Sequence, residues 1–239
     1  MVFPMCGNAL TPGTSMMVHP LRITEANDLL RTIDALVTNE GTISHPYVAS
    51  RKLVEGRAAT RNLADAVHFF SLLHGRHPGL MDFAAARVAQ GEDRNWAEQA
   101  VDAFGRERAY LAALAVGAGP MPSTAGQHQC ETTVIAQGHA IDMLGQSERS
   151  GCALGAAIAL ALDWRAIRAV LDAAAQRLDV KAMVAHLPDL QQTMTLIAQK
   201  SGNPAVERAL LFGAQQMLSQ HRGLWDMLAM RESVREETY

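Results

Sequence analysis

From Gly151 to Leu162 the chain runs twelve residues without a polar side chain. The run is rich in Ala and Leu, residues that favour helix. A helix that is apolar all round must be enclosed on every side. At twelve residues it falls well short of the roughly 20 needed to span a bilayer. The stretch therefore predicts a central helix wrapped by others, and its small residues Gly151, Gly155, Ala156 and Ala157 would let neighbours approach closely.

The rest of the chain supplies the wrapping. Nowhere does an alternating apolar–polar pattern persist, and helix punctuation recurs throughout. Thr24 opens a helix carrying Leu29, Leu30, Ile33, Leu36 and Val37, ended by Asn39-Glu40-Gly41. A short helix follows His45-Pro46, another begins at Thr60 or Arg61 and ends at Gly75, and a third lies between Pro78 and Gly91. Trp96 to Val116 is long; Gly117-Ala118-Gly119-Pro120-Met121-Pro122 is the clearest break. Helices then run from Ser123 to Leu144, from Ser147 or Ser150 to Leu178, from Pro188 to Ser201, and from Asn203-Pro204 to about Glu232. With 239 residues, no low-complexity linker and no repeat, this predicts an all-α, single-domain multi-helix bundle over residues 21–239. Residues 1–20, with no Lys or Arg and many Pro, Gly, Ser and Thr, read as a disordered leader without the basic start of a signal peptide.

Charge and cysteine usage narrow the partners. A net charge of −3 with interspersed signs, and no basic stripe, argues against nucleic acid. Cys6, Cys130 and Cys152 are sparse and form no CxxC, as expected of a cytoplasmic protein. No membrane partner is expected.

The informative residues are polar ones on apolar helix faces. Glu107 falls among Trp96, Ala100, Phe104, Leu111 and Leu114, where a carboxylate must be paired, protonated or facing a polar cavity. His221 lies within the stripe Val206, Leu210, Gly213, Met217, Leu224, Leu228, either as a hydrogen-bonded core residue or as an acid/base. His128, Glu131, Ile135, His139 and Asp142 form one stripe, with Glu131 nearest the apolar side; it contains no ExxH pair and meets no second ligand set, so no metal site is assigned. His74 precedes Gly75 at a helix end, where an imidazole caps the last carbonyls. Cys152 opens the apolar helix, where the dipole favours a thiolate.

Three stretches resemble the helical superfamily of thiaminase II, the pyrroloquinoline quinone synthase and the heme oxygenases. They are His45-Pro46-Tyr47 with Leu53-x-x-Gly56; Pro120-x-Pro122-x-Thr124 followed by Cys152; and His221-x-x-Leu224-Trp225-Asp226. The resemblance implies a heme-oxygenase-like bundle, a homo-oligomer, and one central small-molecule pocket faced by Cys152 and His221, with Glu107 and Glu131 as further candidates. At two points the chain departs from the pattern. The family's catalytic Glu falls on His221, and its Gln-Asp pair falls near Phe69-Phe70. The expectation is therefore the fold and a pocket rather than thiaminase activity. The cofactor is left unassigned, and an interaction protein or a metal-dependent oxidase on the same scaffold are the rival readings.

Overall fold

The computed structural model describes residues 20–88 and 92–237. The leader expected over residues 1–20 lies outside them apart from Pro20, and Cys6 with it. Among the described residues there is no strand. Nine α-helices follow in order: α1 Pro20–Glu40, α2 Pro46–Ala49, α3 Ala59–His74, α4 Leu80–Arg87, α5 Glu92–Ala118, α6 Gln127–Gly145, α7 Cys152–Arg177, α8 Leu190–Gln199 and α9 Pro204–Glu237. Single 3-10 turns at Thr42–Ser44 and Arg51–Leu53 join α1 to α2 and α2 to α3. The chain is one compact all-helical domain, and none of the described helices is long and apolar enough to cross a membrane.

α7 is the axis of the bundle, with every residue from Cys152 to Ala161 buried. Burying it is what that run requires, since each enclosed Leu or Ile contributes about 1.5–3 kcal/mol and each Ala methyl about 0.8 kcal/mol. Its closest neighbour is α9. The two helices run in the same direction, because Gly151 meets Val206, Gly155 meets Leu210 and Asp163 meets His221. The approach depends on glycine from both sides. A Cβ at Gly155 would collide with the Leu210 carbonyl, and one at Gly213 with the Cys152 carbonyl.

Around this pair, α3 contributes Phe69 and Phe70, α5 contributes Phe104, Tyr110, Leu111 and Leu114, and α6 contributes Val134 and Ile141. The Gly117–Pro122 break is fastened from the far end of α9. Arg231 bonds both Asp65 oxygens at 3.0 and 3.1 Å and the Pro122 carbonyl at 3.2 Å, while Arg235 reaches Asp65, Asn62 and Thr124. α6 begins at Gln127 rather than Ser123. Gly126, with φ +76°, makes the left-handed turn into it, so Ser123, Thr124 and Ala125 stay outside the helix.

Candidate functional site

Asp163 sits where the apolar run of α7 ends, and it is buried. Its Oδ1 accepts the Thr42 backbone N–H at 2.7 Å; its Oδ2 accepts the Thr42 hydroxyl at 2.7 Å and faces His221 Nδ1 at 2.6 Å. The Thr42 hydroxyl oxygen in turn accepts Trp225 Nε1–H at 2.9 Å. Gly41 makes this possible, because a Cβ there would strike the Asp163 carboxylate. Burial by itself would raise the Asp163 carboxyl, but the bonds from His221 and Thr42 outweigh it and hold the group below the ordinary carboxylate range.

An ionised Asp163 fixes the proton of His221 on Nδ1. Neutral His221 then presents a lone pair at Nε2, and 2.9 Å away stands Nε2 of His74, the last residue of α3. His74 donates that hydrogen bond, which leaves the lone pair on its own Nδ1. Phe70 and Trp164 pack against His74 at centroid distances of 6.3 and 5.2 Å, and Phe70 meets His221 at 6.0 Å. Burial, and then the facing His221, push the His74 pKa well below its ordinary value, so His74 resists holding a charge of its own.

Chemically, this arrangement is able to pass a proton inward. A proton that reaches His74 Nδ1 releases the Nε2 proton to His221 Nε2, and the positive charge comes to rest beside Asp163. The outer imidazole takes up a proton without having to hold the charge.

His74 lines a cleft of about 60 Å³ between the end of α3, the start of α4, and α5 and α6. Apolar walls come from Leu72, Phe104, Ile141 and Leu160, and the polar part of the rim from Arg76, Arg108 and Asp142. Arg76 pairs with Asp142. Arg108 lies 3.3 Å from Asp82 and 3.4 Å from His77.

The four candidate residues are distributed differently from a single pocket. His221 is in the relay. Glu107 is buried nearby and closed: Arg168 Nη1 donates to Oε1 at 2.6 Å and Trp164 Nε1–H to Oε2 at 2.9 Å. Arg168 is held further by Asp172 at 2.8 Å and stacks on the Tyr110 ring at 4.1 Å. Glu131 is half-buried and accepts from Gln127, one turn back on its own helix, at 2.9 Å. Cys152 is buried against Gly213. Eleven residues of α7 separate it from Asp163, a rise of about 16 Å, so Cys152 and His221 do not face each other. None of the four lines the cleft at His74. His128 and His139 are exposed, and among the described residues no three His, Cys, Asp or Glu side chains converge as metal ligands would.

Two participants escaped the sequence reading. His74 is not a cap; its ring turns inward to a partner 147 residues away. Asp163 carried a signal, being the first charged residue after the apolar run of α7. Of the stretches that carry the resemblance, the first and third meet physically: His45 Nε2 bonds Asp226 at 3.0 Å.

The chain belongs to a family described as Family of unknown function (DUF6975), whose model matches residues 37–236. That span includes every residue of the relay and the cleft. No curated protein and no solved structure matches the chain.

Proposed function

We propose that this protein takes up a small polar molecule in the cleft beside His74 and moves a proton to or from it, on a bundle of heme-oxygenase-like fold. One observation carries the reading: the hydrogen-bonded line Asp163–His221–His74 ends on the wall of that cleft. His74 is the group that touches the bound molecule. His221 and Asp163 are positioning residues, which set its tautomer and receive its charge. A base positioned in this way contributes about 10²–10⁴-fold to a proton-transfer step. The meeting of His45-Pro46-Tyr47 with Trp225-Asp226 supports the fold assignment, and the homo-oligomer implied by the same resemblance belongs to the proposal. Nucleophilic chemistry at Cys152 does not, since the residue lies far from the relay and is buried against α9.

Hydroxyl-radical footprinting, mapped by peptide mass, tests the reading, because the radical is water-sized and oxidises an imidazole that water reaches. Gly138 on α6 lines the cleft, and a Cβ there meets nothing within 4 Å, so Gly138→Phe fills the cleft without a clash at the backbone. His74 is expected to react in the wild type and to be protected in Gly138→Phe. A His74 that stays unmodified in the folded wild type refutes the proposal. It would favour the second reading, a helical interaction protein with a satisfied polar core, for which the closed Glu107–Arg168 pair is the supporting observation.

A further inference from the structure

We propose that the molecule taken up beside His74 is a small monoanion of the carboxylate or oxyanion class, with about four to six non-hydrogen atoms, and that Arg108 meets its charge. The inference rests on the reading of the cleft as a binding site, and two features of that cleft carry it.

The first feature is size. A water takes up about 10–15 Å³ of such a cleft, so about 60 Å³ holds on the order of four to six water-sized groups. That is the size of acetate, bicarbonate or a short hydroxy acid, and it is too small for a bicyclic heterocycle or a nucleotide.

The second feature is the state of Arg108, whose side chain is only 17% exposed. A guanidinium has five N–H donors, and its charge-assisted bonds to carboxylates ordinarily measure about 2.7–2.9 Å. The bond from Arg108 to Asp82 Oδ2 is longer, at 3.3 Å, and that single oxygen also accepts the Gly79 N–H at 2.8 Å and stands 3.3 Å from His77 Nδ1. Asp82 therefore divides its charge among three partners, and Arg108 is left incompletely neutralised on the cleft wall. At the rim Asp142 offsets Arg76. The charge that faces the enclosed space is that of Arg108, with the neutral His74 imidazole also on the wall. An anion held by Arg108 shares the cleft with the His74 imidazole.

Acetate and acetamide have the same number of non-hydrogen atoms and differ in charge, so the pair separates the charge requirement from the cleft. Each is titrated into protein labelled with ¹⁵N-histidine, and the His74 imidazole resonances are followed. Acetate is expected to shift them saturably, with acetamide at least tenfold weaker and benzoate, which is too large, without effect. Arg108→Gln is expected to bring acetate down to the level of acetamide, and Arg108→Lys, which keeps the charge without the planar fork, to fall between them. Melting temperature checks that each variant is folded. Equal affinities for acetate and acetamide, both abolished by Gly138→Phe, would overturn the anion assignment and leave the cleft reading standing. Binding of benzoate as tight as that of acetate would overturn the size limit. If neither acetate nor acetamide shifts His74, both readings fall.

Discussion

Two carboxylates lie at similar depth in this bundle and are spent in opposite ways. Glu107 has both oxygens bonded, to a cation and to an indole, and that cation is itself held by Asp172 and stacked on Tyr110. Asp163 is bonded on both oxygens as well, but one of its partners is an imidazole, and an imidazole has a second nitrogen. From Glu107 the chain of partners ends at groups that keep their protons. From Asp163 it continues through His221 to His74 and the cleft. Burial therefore does not distinguish a polar residue closed within the core from one connected to a cleft; the chemistry of the next partner does.

Breaking the closed pair gives the largest expected loss. Glu107→Ala leaves the buried Arg168 with Asp172 as its one remaining carboxylate and the Trp164 N–H without its acceptor, which costs up to about 3–5 kcal/mol in chemical denaturation. Replacing both partners, as Glu107→Leu with Arg168→Met, is expected to recover most of that loss. A double variant as unstable as the single one would show that the pair holds more than its own charges.

Asp163→Asn comes next. It weakens the charge-assisted bonds from Thr42 and His221, for an expected cost of about 2–3 kcal/mol. Its distinguishing effect is on His221, whose Nδ1 proton is no longer fixed, and ¹⁵N imidazole shifts report that tautomer directly. Retention of the Nδ1–H form in the variant would remove Asp163 from the relay.

Acid gives a smaller, graded effect. The folded-state pKa of Asp163 is depressed, so its contribution to stability is fully present above the ordinary value of about 4 and is lost as pH falls toward the folded value. The loss amounts to about 1.4 kcal/mol per unit of depression. Unfolding free energies measured from pH 5 to pH 2 are expected to fall less steeply in Asp163→Asn than in the wild type. Parallel curves would contradict the depressed value. The smallest effect belongs to Glu131→Gln, within about 0.5 kcal/mol and with His74 reactivity unchanged, because Glu131 touches neither region.

The helices were legible because apolar spacing and punctuation are local properties. The enclosed α7, the break at Gly117–Pro122 and the Asn203-Pro204 start of α9 can all be read within a few residues. Glu107 and His221 were legible for a related reason, as each interrupts a stripe on its own helix. Which of them leads to a cleft was not legible, because that depends on the partner: Arg168 for one, Asp163 and His74 for the other. His74 was hidden by position. At the last turn of a helix before a glycine, capping already accounts for an imidazole, and nothing nearby in sequence shows that the ring turns inward. Cys152 and His221, paired by resemblance, were separated by helix register.

The glycines between α7 and α9 have a consequence for proton movement. Aspartate and histidine side chains have fixed reach, so the spacing of the two helix axes sets the 2.6 Å between Asp163 and His221. Gly213 holds that spacing from eight residues away, about 12 Å along α9. An added methyl at Gly213 would act as a wedge, stretching a remote hydrogen bond while leaving every donor and acceptor in place. The relay thus has a mechanical tolerance, and the part that enforces it carries no polar side chain.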